Sequence, residues 1–259
     1  MYSKIFVQLL EENFDDLLDY AKKNGHNLEI ASFAFPEVLD THWNSLLKEY
    51  KSKLKGFGGI ISMHGAFQDL ILSSIDSKIR KVSEERIIHN LEIAKDLGAK
   101  YIVFHTNFNS RSGSQSYAKS WLKRSAEFYK SIVDKYKITI VLENLFDPFP
   151  NFLKELIESV NSPYLRVCFD VGHANVYSKV PINEWLFTLK EYIVYIHVND
   201  NKGESDEELI PGDGKIDWKA FSDEIKKNKI APNIIFEVFG KDKTVKSIDY
   251  FKKNKIYPF

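Results

Sequence analysis

The sequence predicts a single-domain α/β chain, residues 1–259, folded as a closed (β/α)8 barrel. Three observations carry that reading. Short, β-rich apolar runs alternate with longer amphipathic, Lys-rich stretches, and the alternation repeats eight times. The runs are almost continuously apolar, as parallel strands covered on both faces must be. At 259 residues, the chain has the length at which eight such units close within one domain, about 250. An open doubly wound sheet is the alternative, weakened because no GxGxxG follows an early strand.

Taken in order, "KIFVQLL" (4–10) reads as the first strand and 13–24 as its helix. "NLEIAS" (27–32) is followed by a helix over 41–54, and "GIISMH" (59–64) by one over 79–97. In that third helix Ile79, Val82, Ile87, Leu91, Ile93, Ala94 and Leu97 form an apolar stripe, and Gly98 sits where a C-cap belongs. "KYIVFH" (100–105) leads through the polar loop "NSRSGSQS" (109–116) into a helix over 116–136. "ITIVLE" (138–143), "LRVCFD" (165–170), "IVYIHV" (193–198) and "NIIFEV" (233–238) complete the strands, with helices over 151–160, 182–190, 218–228 and 243–254.

Composition narrows the function. Lys+Arg and Asp+Glu are both 36, and only five of the basic residues are Arg; affinity based on phosphate neutralisation is not expected. One cysteine, Cys168, excludes a disulfide framework and favours a reducing, cytoplasmic setting. It reads as a small core residue of strand six. No apolar run approaches the ~20 residues of a membrane span, and the N-terminus does not read as a signal peptide.

A barrel of this kind carries its chemistry at the C-terminal ends of the strands. Strand three ends in His64, four in His105, five in Glu143 and six in Asp170. Strand seven carries His197, with Asp200 just beyond, and strand eight carries Glu237. Singly, each would be an ordinary cap or turn residue. Six in succession, all of metal-ligand type, are not explained by capping. Barrel closure brings them around one axis, where they are costly to bury unless a cation neutralises them. Mixed nitrogen and oxygen donors suit Zn, Mn, Co or Fe better than Ca or Mg. His173 follows strand six; His26, His42 and His89 lie in helices or connections and are assigned no role.

At these residues the chain resembles the xylose-isomerase-like TIM barrels, a superfamily of sugar isomerases and epimerases, inosose-processing enzymes and endonuclease IV. The resemblance spans nearly the whole chain through "MHGAFQDL" (63–70), "DLGAKYIVFHTN" (96–107), "IVLEN" (140–144), "CFDVGHA" (168–174), "YIHVNDNKGESDEELIPGDGKIDW" (195–218) and "IIFEV" (234–238). It implies a divalent metal ion, Mn or Zn foremost, held by Glu143, Asp170, His197 and Glu237. It further implies Glu143 and Glu237 as the pair that exchanges the substrate's proton in a sugar or polyol-like isomerase or epimerase. The substrate would be a small sugar-like molecule, with no membrane partner; a homo-oligomer is compatible with the sequence.

The rival is an endonuclease-IV-like zinc phosphodiesterase acting on abasic DNA. Under that resemblance His64, His105 and Glu143 hold a first zinc, and His173, Asp206 and the position of Glu208 a third. The family residue at that last position is His. Under the sugar reading the same five residues, His64, His105, His173, Asp206 and Glu208, line the pocket and bind substrate or further metal. The ketose 3-epimerases resemble one another in an Arg and a Glu that stand here as Gly203 and Phe149, so a ketohexose 3-epimerase specificity is not expected. Phe67, Phe108, Phe146 and Trp218 are expected either to wall the pocket or to pack in loops. "PGDGKIDW" (211–218) reads as a turn with Asp217 capping the next helix.

Overall fold

The computed structural model describes residues 3–109 and 114–259; residues 110–113 of the polar stretch expected as a loop lie outside them. Eight strands form one closed, wholly parallel barrel in sequence order: β1 Ile5–Leu9, β2 Asn27–Ile30, β3 Ile61–His64, β4 Tyr101–His105, β5 Thr139–Glu143, β6 Leu165–Asp170, β7 Ile193–Val198 and β8 Asn233–Phe236. Closure is made by β1 on β8, with Val7 opposite Phe236. Among the described residues ten α-helices surround it: α1 Phe14–Asn24, α2 Pro36–Thr41, α3 Trp43–Lys53, α4 Ser77–Leu97, α5 Gln115–Tyr136, α6 Pro150–Val160, α7 Val171–Tyr177, α8 Ile182–Leu189, α9 Trp218–Lys227 and α10 Lys241–Lys253.

Three departures from the sequence reading have local causes. The helix expected over 41–54 is α3, and a further short helix, α2, precedes it, the two kept apart by His42, which leaves helical backbone at φ −138. Helix α7 begins directly at the end of β6, where the Asp170 carboxylate caps it by accepting from the His173 N–H. In α4, Ile87, Leu91, Ile93, Ala94 and Leu97 are buried as expected, but Ile79 and Val82 are 45% and 60% exposed. A 21-residue helix is about 30 Å long at ~1.5 Å per residue, whereas a five-residue strand spans about 17 Å. The first turns of α4 therefore overhang the sheet. Gly98 does end this helix in the left-handed conformation at φ 71.

The two-residue strand period sorts each strand into two populations. Residues such as Val7, Leu28, Met63, Ile102, Leu142, Val167, Ile196 and Ile234 face the helix layer and join the main apolar core. The alternate residues fill the barrel in tiers. A lower tier of Phe6, Val103, Val141, Cys168, Tyr195 and Ile235 packs as its own apolar cluster, with the Ser62 and Tyr195 hydroxyls hydrogen-bonded within it. Two residues further along each strand lies a second tier, and every one of its members is polar: Gln8, Glu29, His64, His105, Glu143, Asp170, His197 and Glu237.

Candidate active site

Glu143 is the hub of the polar tier. It is fully buried; its Oε2 lies 3.4 Å from His64 Nε2 and 3.3 Å from His105 Nε2. Its Oε1 lies 3.2 Å from His173 Nδ1 and 3.3 Å from His197 Nδ1. His197 Nδ1 is also 2.9 Å from Glu237 Oε2 and 4.0 Å from Asp170 Oδ2. One ligand atom each of Glu143, Asp170, His197 and Glu237 falls within a 4.8 Å cluster, and His64, His105 and Glu143 form a second such group. The structure thus brings together all six strand-end residues.

Neighbouring elements hold these side chains in place. Asp170 Oδ1 accepts from the His173 N–H at 2.5 Å and Oδ2 from Asn199 Nδ2 at 3.2 Å. Asn144 clamps the Asp170 backbone from both sides, donating to its carbonyl and accepting from its N–H. Gly172 is required here: a Cβ on it would lie 1.8 Å from Asn199 Oδ1 and displace the amide that orients Asp170. Gln8 Nε2 donates to Glu237 Oε1 at 3.0 Å and reaches Glu29 Oε1 at 3.4 Å.

The remaining expected residues lie on the rim. His173 donates from Nδ1 to the Asn144 carbonyl at 2.8 Å, and its Nε2 is 3.1 Å from Asp206 Oδ2. Glu208 adopts a left-handed backbone, φ 49, uncommon for a residue with a side chain. Burial, with Glu237 and Asp206 nearby, pushes its carboxyl up to about 8. Asp200, by contrast, is structural. Its buried carboxylate accepts from the N–H groups of Asn201, Gly212 and Ile216 and from Trp218 Nε1, which fastens the loop bearing Asp206 and Glu208. "PGDGKIDW" is accordingly a turn, and Asp217 caps α9 through the Ala220 N–H. Trp218 packs against that anchor. Phe67 walls the site, its ring 4.9 Å from that of His105, and Phe146 and Tyr177 continue from it along a groove of about 740 Å³. Phe108 borders the same groove with its ring stacked on Phe152.

The donor set fits a divalent ion. His197 Nδ1, His105 Nδ1 and both Glu143 oxygens are buried without a hydrogen-bond partner, a condition costly to sustain without a cation or proton among them. His64 Nδ1 donates to the Gly65 carbonyl at 2.9 Å, which turns its Nε2 toward Glu143. The electrostatics agree. Burial alone would raise the Glu143 carboxyl, but His197 and His105 hold it well below the usual carboxylate range. Burial likewise opposes ionisation of Glu237, and His197 draws it down to about 2. Asp170 is pushed well above its ordinary value by burial and by Glu143 and Glu237. Oxygen and nitrogen donors in this mixture suit Mn, Zn, Co or Fe.

Gln8, Glu29, Asn144 and Asn199 were not expected from sequence. Gln8 and Glu29 carry a legible signal, a polar side chain inside an otherwise apolar run and in phase with its inward face. Asp147 is a further buried acid. It accepts from the Thr106 hydroxyl and the Leu145 N–H, and burial raises its carboxyl to about 6. Because the folded protein binds this proton more tightly than the unfolded chain, Asp147 erodes stability as pH rises from about 4 to 6, by of order 1–3 kcal/mol. Denaturant titrations of wild type and Asp147→Asn at pH 4.5 and 7 check this. The variant should gain relative stability at pH 7, and an unchanged difference between the two pH values would refute it.

Comparison with known proteins agrees with the architecture. An uncharacterised protein of Methanocaldococcus jannaschii, MJ1614, is 28% identical over 221 residues, covering 84% of this chain and 83% of that one. The crystal structure of a D-tagatose 3-epimerase-like protein superposes with a TM-score of 0.81 at 25% identity, over 97% of this chain and 96% of the other. The TTHB071 protein of Thermus thermophilus, whose crystals were soaked with ZnCl2, has the same fold, with a TM-score of 0.75 at 22% identity over 97% of both chains. The family model described as xylose isomerase-like TIM barrel matches residues 18–254, the span that runs from the first helix to the last, and the chain belongs to that family.

Proposed function

We propose that the protein is a divalent-metal-dependent isomerase or epimerase of a sugar or sugar-like polyol, with Glu143 and Glu237 as its proton-transfer pair. The observation that carries this reading is the placement of Glu143, Asp170, His197 and Glu237. Two glutamates from strands three apart converge on one imidazole nitrogen, at 3.3 and 2.9 Å, with Asp170 completing the set. Glu143, Asp170, His197 and Glu237 would hold the ion, which when bound would polarise a carbonyl and a hydroxyl oxygen of the substrate. The chain's own residues do the rest. The electrostatics that hold Glu143 and Glu237 ionised keep both able to accept a proton from the carbon α to a carbonyl. Glu143 is sealed from solvent and Glu237 is 18% exposed, so the two approach a substrate from the barrel interior and from the mouth. His64, His105, His173, Asp206 and Glu208 surround that position and are suited to hydroxyl groups. Phe67, Phe146 and Tyr177 offer the apolar surface that a sugar's C–H face packs against. Similarity to the D-tagatose 3-epimerase-like protein supports a sugar substrate.

The group formed by His64, His105 and Glu143 favours a second reading, a zinc phosphodiesterase acting on abasic DNA. One assay separates the two. Metal-loaded protein incubated in deuterated water with a panel of ketoses, aldoses and inososes should place deuterium on carbon in one of them. Failure across the panel together with metal-dependent nicking of abasic-site DNA would establish the second reading instead.

A further inference from the structure

Glu29 is a buried carboxylate that neither the resemblance nor the proposed chemistry uses. It lies in β2, is fully inaccessible, and both its oxygens are 3.3 Å from His197 Nε2. Its other polar neighbour is Gln8 Nε2 at 3.4 Å; among the described residues it forms no ion pair with a lysine or arginine. A carboxylate in this position accepts, and an imidazole can meet it only by carrying its proton on Nε2. In the neutral ring that leaves Nδ1 with a free lone pair, and Nδ1 is the nitrogen aimed at Glu143, Asp170 and Glu237. It is buried with no hydrogen-bond partner.

We infer that Glu29 is a positioning residue: it fixes His197 in the Nε2–H tautomer and locks the ring so that Nδ1 serves as a metal ligand. The inference rests on the metal-dependent reading above. Without the acceptor, nothing on that side selects the tautomer, and the ring can place its proton on Nδ1, where it would repel a cation. Gln8 extends the device. Its amide donates to both Glu29 and Glu237, so the orientation of His197 and that of the exchanging glutamate are set by one bridge.

The test uses the full chain, stripped with chelator, and follows Zn, Mn and Co binding by calorimetry. The tautomer of His197 is read by 15N-histidine NMR of the zinc-loaded protein, its signal assigned by its loss in His197→Asn. Wild type should bind and show His197 protonated on Nε2. Glu29→Leu should lower affinity about 10–100-fold, the range seen when a partner of a metal-bound imidazole is removed, and should lose the fixed Nε2–H signal. Glu29→Gln, whose amide oxygen still accepts from Nε2–H, should restore affinity to within a few fold. A Glu29→Leu protein with wild-type affinity and an unchanged tautomer would overturn the inference. So would a Glu29→Gln protein as weak as Glu29→Leu, since charge rather than the acceptor would then be responsible. If Glu29→Leu does not fold, Glu29→Asp decides: the carboxylate withdrawn by one methylene should weaken binding, and undiminished binding overturns the inference. Wild-type protein that binds none of the three metals would bring down the metal-dependent reading itself, a result visible before any variant is made.

Discussion

Glu237→Gln is expected to cut turnover of the true substrate by about 10²–10⁴-fold, the usual worth of a positioned proton-transfer group, while leaving the fold intact. The amide is nearly isosteric, and the Glu237 side chain is partly exposed at the barrel mouth, so substitution leaves no cavity. It removes the basicity of a group that His197 keeps ionised and also one anionic donor to the ion. Glu143→Gln should be at least as damaging, because Glu143 faces four imidazoles and is sealed from solvent. The measurement is the rate of deuterium entry into substrate carbon at saturating metal, with calorimetry alongside to show that the ion is still held. Full exchange activity in Glu237→Gln would remove it from the proton-transfer pair.

Loading chelator-stripped protein with Mn, Zn or Co is expected to raise the melting temperature by roughly 8–16 °C. A ligand at a thousandfold excess over its Kd stabilises the folded state by about 4 kcal/mol, and for a chain of about this size each kcal/mol is worth about 2–4 °C. The direction follows from the site: buried acids and unpartnered imidazole nitrogens are held in close repulsion until a cation joins them. Asp170→Asn should lower the gain by a third or more, since it removes a fully buried donor. Thermal scans with and without chelator check both points. No shift with any of the three ions would refute the metal centre.

The barrel could be read from sequence because its signal is redundant. Eight apolar runs, their spacing and their polar ends each point to closure, and none depends on a precise boundary. The six strand-end residues were legible for the same reason: His64, His105, Glu143 and Asp170 close their apolar runs, and His197 and Glu237 lie one residue short of the end of theirs. Glu29 and Gln8 escaped because they lie two or three residues before the ends of "NLEIAS" and "KIFVQLL". Only the inward phase of the strand, two residues beyond Asn27 and Phe6, exposes their role. Asn144, Asn199 and Gly172 act through contacts between different βα loops, and no local pattern encodes those. Asp200 reads in sequence like another site residue because it follows His197 by three positions; the four donors that turn it into an anchor come from residues up to 18 positions away.

The apolar tier of Phe6, Val103, Val141, Cys168, Tyr195 and Ile235 beneath the polar one has an electrical consequence. It is a low-dielectric floor closing one end of the barrel, and such a wall focuses the field of the charges above it toward the solvent-filled mouth. The carboxylates of Glu29, Glu143 and Glu237, joined at the rim by Asp206, therefore direct their potential mainly through the mouth. The chain as a whole carries no formal net charge, yet an approaching cation would meet a narrow negative funnel at this one opening. Cation capture at this barrel should accordingly slow as ionic strength rises, even though the protein is neutral as a whole.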